Sequence, residues 1–456
     1  MQRRWLTALA AVAFGAALIV AIPASRLDGP TVRADDGIRV LDQTAFTPQR
    51  AEEVGSRPAP RVIVQFKQAV GERLAERCVS DAGGGRASRS AFGPRYVVEP
   101  MAGLDARSLI DRLHSMPEVE FAEIDAPVRA HFTPNDERFA LQWHLKMLGA
   151  ERTWDIQKGD PSVAVAVLDT GVAYEDFGPY RKAPDFGGTV FLQGFNVFTR
   201  DSHANDDNFH GTHVASVIAE ATNNGVGAAG LAHLSAIMPV KVLDKNGDGF
   251  NAQVAEGIDY VVNFRQGGVN PVRVINLSLG GSSRTQALED AINRAVAAGI
   301  TVVASAGNDN IGTVDYPAAF DNVIAVGAID GRKEKAPYSS FGTALDLMAP
   351  AGDLRRDDNG DGRPDGVLQQ TFDPATAALG RYDNFAYYFV VGTSQAAPQV
   401  SAVAALLARQ GIKDPKAIKA IMEKTAEDLG AAGRDDRFGW GLIRPAEALK
   451  GLGLSK

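Results

Sequence analysis

Six continuous apolar runs constrain this chain more than any other feature. They occupy 163–168, 236–243, 272–279, 301–305, 323–328 and 386–391, and helical spacing fills 210–222, 251–265, 285–298 and 395–409 between or after them. A strand whose successive residues are all apolar is buried on both faces, and a parallel sheet covered by helices provides that burial. The alternation predicts an α/β fold, a doubly wound, mostly parallel sheet with helices on both faces. In such sheets ligands gather at the carboxyl ends of the strands.

Four corners of this pattern carry residues able to do chemistry. Asp169 follows the first strand in AVLDTG, where by itself it reads equally as a cap or turn residue. His210 opens a helix in HGTHVAS, with His213 three residues further on. Zinc pairs on helices are normally spaced i, i+4 with a glutamate between them. That makes a metal reading of these two weak, and His213 reads as a core histidine. Asn308 ends the strand at 301–305 in SAGN, and Ser394 stands between a strand and a helix in GTSQAAP. Singly, the asparagine is an ordinary turn residue and the serine an ordinary N-cap. Jointly they form a reactive set. A serine hydroxyl is a poor nucleophile until an imidazole takes its proton, and the imidazole needs a carboxylate to fix its tautomer. An amide donor then stabilises the oxyanion.

These motifs, in the order acid, base, nucleophile, resemble the subtilisin-like serine peptidases (the subtilase family) across 139–450. The resemblance implies a serine endopeptidase working through an acyl-enzyme, with Asp169 as orienting acid, His210 as base and Ser394 as nucleophile. Asn308 becomes the oxyanion donor, helped by the Ser394 backbone N–H. Ser278, Leu279 and Gly280 should pair with an extended substrate, and Ser305, Ala306 and Gly307 should line its cleft. Asp315 would then sit low in the pocket for the side chain before the scissile bond, favouring Lys or Arg, or else point to solvent. An α/β-hydrolase, a lipase or esterase, is disfavoured by its G-x-S-x-G elbow, since Ala396 stands at the last position, and by its reversed residue order. A catalytically silent binding protein on the same fold is the alternative.

The family also implies structural Ca2+. Asn224 in the 223–227 loop would be a side-chain ligand, with Gln142, Asp185 and the carbonyls of Thr222, Val226 and Ala228 completing the shell. A second candidate is the run Asp357, Asn359, Asp361 and Asp365, whose spacing matches the first half of an EF-hand loop without its closing Glu. The cluster at Asp244, Asn246 and Asp248 reads as an acidic turn. No organic cofactor is expected.

Ahead of the peptidase pattern, strand-like 61–66, 95–100 and 119–124 surround a helical stretch at 105–116. This small α+β unit is similar to the family's inhibitory propeptide, a resemblance that implies a ferredoxin-like fold, with Gly83-Gly-Gly85 reading as an exposed loop and a cut expected near His131. Arg3 and Arg4 precede an apolar run at 5–22, an export signal that is either cleaved after Ala24 or kept as a membrane anchor. The expected division is 1–24 signal or anchor, 25–57 linker, 58–131 propeptide and 132–456 peptidase domain. A net charge of −8 argues against nucleic acid, and a single cysteine, Cys78, excludes an internal disulfide. The expected product is a secreted or extracytoplasmic monomer acting on proteins and peptides.

Overall fold

The computed structural model describes residues 19–22, 61–126 and 132–451. The chain divides into two units, Thr31–Ala130 and the remainder. Of the apolar N-terminal run only β1 (Ile19–Ile22) is described, lying antiparallel to the strand at Phe385–Val390. The rest of that run, the linker at 25–57 and the expected cut near His131 fall outside the described residues. Among the described residues no helix is long and apolar enough to cross a membrane.

The smaller unit runs β2 (Val62–Phe66), α1 (Glu72–Ala82), β3 (Gly84–Arg89), β4 (Arg95–Pro100), α2 (Ala106–His114) and β5 (Val119–Ile124). Its sheet order, β3-β4-β2-β5, is that of a split β-α-β-β-α-β unit. Alternation in Val62-Ile-Val-Gln-Phe66 buries Val62, Val64 and Phe66, which meet Leu109 and Leu113 of α2 in one core. The glycines at 83–85 do not form the expected exposed loop. Gly83, at φ +93°, caps α1, and Gly84 opens β3 so close to Val79 that a Cβ would stand 2.4 Å from its side chain.

The larger unit continues with α3 (Trp143–Met147), α4 (Ala150–Trp154), β6 (Ala164–Asp169), β7 (Phe195–Asn196), α5 (His210–Ala219) and β8 (Ala236–Lys241). Then follow α6 (Asn251–Asn263), β9 (Val272–Leu277), α7 (Gln286–Ala297), β10 (Thr301–Ser305), β11 (Val323–Ile329) and β12 (Leu347–Pro350). Seven strands form one sheet in the order β12-β11-β10-β9-β6-β8-β7, and every pair in it is parallel. All six residues of β6 are buried, as its unbroken apolar pattern demands. The chain places β8 on one side of β6 and then crosses to build β9 on the other, so the winding direction switches at β6. The crevice at such a switch is where open α/β sheets hold their ligands.

The sixth apolar run does not join this sheet. β13 (Val367–Phe372), α8 (Pro374–Ala377) and β14 (Phe385–Val390) make a separate antiparallel layer, with Val367 opposite Val390 and Phe372 opposite Phe385. The connection at 373–384 carries one turn of helix, and the two strands it joins pair antiparallel. Directly after β14 comes α9 (Thr393–Arg409), which packs against β9, β10, β11 and α5. Of its 17 residues only Ser394 and Arg409 are not buried. The small side chains around Ser394 thus let the helix sink into the core and leave its hydroxyl accessible. The chain closes with α10 (Pro415–Thr425) and α11 (Pro445–Lys450).

Candidate active site

Asp169 ends β6 and is completely buried. Its Oδ1 lies 2.8 Å from Nδ1 of His210 and accepts the Thr170 N–H at 2.7 Å. A carboxylate has no proton to give, so Nδ1 is the donor and Nε2 keeps its lone pair. Burial opposes charging of His210, but the charge and hydrogen bond of Asp169 together with the charge of Asp206 outweigh it, and the imidazole pKa lies above 6.5. This is the pairing a general base needs.

Local constraints explain the surrounding motifs. Gly171, at φ +107°, brings the strand end within 2.4 Å of where its missing Cβ would strike the Asn205 carbonyl. A Cβ on Gly211 would stand 2.1 Å from the Gly171 carbonyl, so these glycines let the start of α5 rest on the end of β6. Asp206, which sequence reasoning missed, ties the two together. Its Oδ1 accepts from Thr170 Oγ1 and from the Asn208 and Phe209 N–H groups, while its Oδ2 accepts from the Thr212 N–H and hydroxyl. Acid residues capping a helix are recognisable, and Asp206 four positions before His210 was the available signal. His213 takes the core role expected for it. Its Nε2 stands 3.2 Å from the carbonyls of Val367 and Tyr388, and burial lowers its pKa to about 3.

The nucleophile candidate is held at the neighbouring strand. Val167 of β6 is the last residue paired with β9, opposite Asn276, so Asp169 and Ser278 each lie two positions past the end of that ladder. Ser394 Oγ donates to the Ser278 carbonyl at 3.2 Å, and Ser278 Oγ donates back to the Ser394 carbonyl at 2.8 Å. No hydrogen bond joins Ser394 to His210 among the described residues. Asn308 is aimed by Thr393, whose N–H and hydroxyl donate to its Oδ1 at 2.9 and 3.0 Å. The amide oxygen is thereby occupied and the Nδ2 donors are left for another acceptor. Gly392 N–H donates to Tyr338 OH at 3.1 Å, and a Cβ on Gly392 would collide with Gln395 Oε1 at 2.9 Å.

Among the described residues no backbone hydrogen bond engages Leu279 or Gly280, which leaves that edge ready for an added strand. Ser305 and Ala306 are buried, and the Ala306 backbone is already committed, donating to Val326 and accepting from Asp315. The Asp315 side chain turns inward rather than to solvent. Its Oδ2 lies 2.5 Å from the Cβ position of Gly307 and 3.3 Å from that of Gly280.

The loop proposed for calcium is built differently from expectation. Gln142 is spent elsewhere, its Nε2 donating to the carbonyls of Ala229 and Leu368 and its Oε1 accepting the Ala229 N–H. Asp185 is fully buried, accepting from Asn224 Nδ2, the Ala228 N–H and Tyr387 OH, and burial pushes its pKa up to about 6. Two further buried carboxylates escaped the sequence reading. Asp136 accepts the Asn223 N–H through Oδ2, Glu220 accepts the Gln370 N–H, and one oxygen of each has no partner. Burial raises both pKa values. Unpaired buried carboxylate oxygens beside Asn224 and the carbonyls of Thr222, Val226 and Ala228 suit a hard divalent cation, with Asp136 in place of Gln142. No group of three or more His, Cys, Asp or Glu side chains is preassembled around a common point among the described residues.

The other acidic runs are self-satisfied. Asp357 accepts the Asp361 and Gly362 N–H groups, Asn359 accepts Asp361, Asp361 accepts Arg363, and Asp365 accepts Asp358. Asp244 accepts the Asn246 and Asp248 N–H groups, the ordinary acidic turn expected there.

A sheet switch point with an aspartate-oriented imidazole, a serine in the first turn of α9 bonded to the residue after β9, and an aimed amide define a protein of the serine-peptidase class. The profile of the subtilase family matches residues 160–441, and the chain belongs to that family. A thermophilic serine proteinase of Bacillus sp. strain AK1 is 33% identical over 391 residues, 85% of this chain and 87% of the relative. An extracellular protease of Xanthomonas campestris is 33% identical over 384 residues, 75% of this chain and 62% of the relative. Among solved structures, a protease from Pseudoalteromonas arctica matches with a TM-score of 0.61 at 32% identity, covering 70% of this chain and 99% of that one.

Proposed function

We propose that this chain is an exported serine endopeptidase, made as a self-processing zymogen, that cuts extended protein segments through an acyl-enzyme. The 2.8 Å contact between His210 Nδ1 and the buried Asp169 carboxylate carries the reading, because it leaves Nε2 free as a base. Ser394 Oγ leaves the Ser278 carbonyl, passes its proton to Nε2 and attacks the substrate carbonyl carbon. Asn308 Nδ2 and the Ser394 N–H donate to the oxygen as it becomes anionic. The imidazolium protonates the departing amine as the C–N bond breaks, leaving an ester on Ser394. Water then gives a proton to Nε2 and attacks the ester, and Ser394 recovers its proton as the acid departs.

The small α+β unit acts in this reading as the inhibitory propeptide, removed near His131. Export is supported by the arginines before the apolar run and by a relative named as an extracellular protease. Asp136, Asp185 and Asn224, with the carbonyls of Thr222, Val226 and Ala228, would hold structural Ca2+. The ion would supply positive charge to carboxylates whose burial is otherwise costly.

Expression of the full chain beside Ser394→Ala tests the reading. The parent should shed its N-terminal unit, digest casein and react with a fluorophosphonate, and the variant should stay full-length and inert. A parent that remains uncut and unlabelled refutes it.

A further inference from the structure

The segment at 314–316 closes a slot between the exits of β9 and β10. Asp315 N–H donates to the Ala306 carbonyl at 3.0 Å, and Tyr316 exchanges two backbone hydrogen bonds of 2.9 Å with Gly281. Gly280 and Gly307 line the slot with bare backbone, and the Asp315 carboxylate lies near the Cβ position of each. Ser340 Oγ, on a residue only 1% exposed, stands 3.2 Å from the same Gly307 position and has no partner. The slot opens beside the reactive corner, because Gly307 precedes Asn308 and Ser278 holds Ser394.

The Asp315 carboxylate is half-buried, and no N–H, O–H or cationic group bonds to it among the described residues. Lys335 is occupied elsewhere, donating to Asn310 Oδ1 and to the carbonyls of Ala336 and Ser339. An unpaired carboxylate in such a place is costly, and a neutral side chain filling the slot would desolvate it further. A cation arriving on a long aliphatic stem reverses that cost and fills the slot as well.

We propose that this slot receives the substrate side chain on the acyl side of the scissile bond, and that Asp315, with the Ser340 hydroxyl, selects lysine or arginine there. The assignment rests on the peptidase reading and names its substrate class.

The test is kcat/KM on chromogenic peptides identical except for Arg, Lys, citrulline, Leu or Phe before the cleaved bond. Arg and Lys should exceed Leu and Phe by roughly 10- to 100-fold. Citrulline, which keeps the shape of Arg without its charge, should fall with the neutral group. Asp315→Asn and Asp315→Gly should each collapse the Arg-to-Leu ratio. A parent enzyme that cleaves the panel but favours Leu or Phe overturns the assignment alone, as does a ratio unchanged in both variants. A folded parent that cleaves none of the peptides overturns the peptidase reading and the assignment with it.

Discussion

Thr393 holds Asn308 by two donors, its backbone N–H at 2.9 Å and its hydroxyl at 3.0 Å, both directed to Oδ1. The residue before the nucleophile therefore orients the amide that faces the developing oxyanion, although the two lie 85 positions apart.

Removing the hydroxyl donor with Thr393→Val should loosen that amide while its chemistry remains. The expected result is a fall in kcat of about tenfold with little change in KM, since the amide acts mainly in the transition state. Asn308→Ala should cost roughly 10²–10³ in kcat, the loss typical of a subtilisin-type oxyanion amide. The double variant should be no worse than Asn308→Ala, and additive losses would show that Thr393 acts independently of Asn308.

Activity should track the protonation of His210. Burial works against the imidazolium, but Asp169, with help from Asp206, prevails and raises the pKa above 6.5, so kcat/KM should decline as pH falls through a value above 6.5. With Asp169→Asn, burial is opposed only by the more distant charge of Asp206. The acid limb should then move to lower pH, and kcat should drop by about 10⁴ because the tautomer is no longer enforced. An acid limb unmoved in the variant would mean that another group titrates there.

Chelation should destabilise the protein more at alkaline than at acidic pH. Burial raises the Asp185 carboxyl from 3.8 to about 6. A carboxyl raised in the folded state binds a proton that the unfolded chain releases. The stability it contributes is therefore present below 3.8 and lost as pH rises through about 6 in cation-free protein. Above that pH the buried charge costs on the order of 3 kcal/mol, which a bound cation would offset. Differential scanning calorimetry with calcium or EDTA at pH 5 and pH 8 reads the difference, and equal Tm shifts would contradict it.

Acid should unfold the protein through its core histidines. Burial lowers His144, His213 and His233 from 6.5 to about 3, aided by His213 for His144 and by Lys158 for His233. Between those values the unfolded chain holds more protons, so stability falls as pH drops below 6.5, by up to about 1.4 kcal/mol per pH unit for each histidine. Neither ring nitrogen of His144 has a partner among the described residues. His144→Leu should accordingly flatten the dependence in urea melts at pH 4 to 7, and an unchanged slope would count against His144 as a source.

Much of the main sheet was readable because full burial of a strand demands unbroken apolar sequence, as at 163–168 and 301–305. β13 was not, because Gln369, Gln370 and Thr371 interrupt it with polar side chains. They are nonetheless buried, with Gln369 donating to the Ala229 carbonyl, Gln370 to Tyr387 OH, and Thr371 to the Phe209 carbonyl. Only distant partners make that polarity tolerable. Asp136 was hidden for the same reason, since its partner Asn223 lies 87 positions away.

The amino-acid order alone determined the inventory: an acid, an imidazole, an amide and a hydroxyl, each at the end of a run that has to be a strand or the start of a helix. Propensity and periodicity act over a few residues, so they are written locally. Tertiary structure decided which His210 nitrogen is free, which way the Asn308 amide faces, that Asp315 turns inward, and that Gln142 is bonded to Ala229 while Asp136 meets the Asn223 N–H. Each of these depends on short, directional hydrogen bonds or close contacts. Folding alone sets the partners and angles of such contacts.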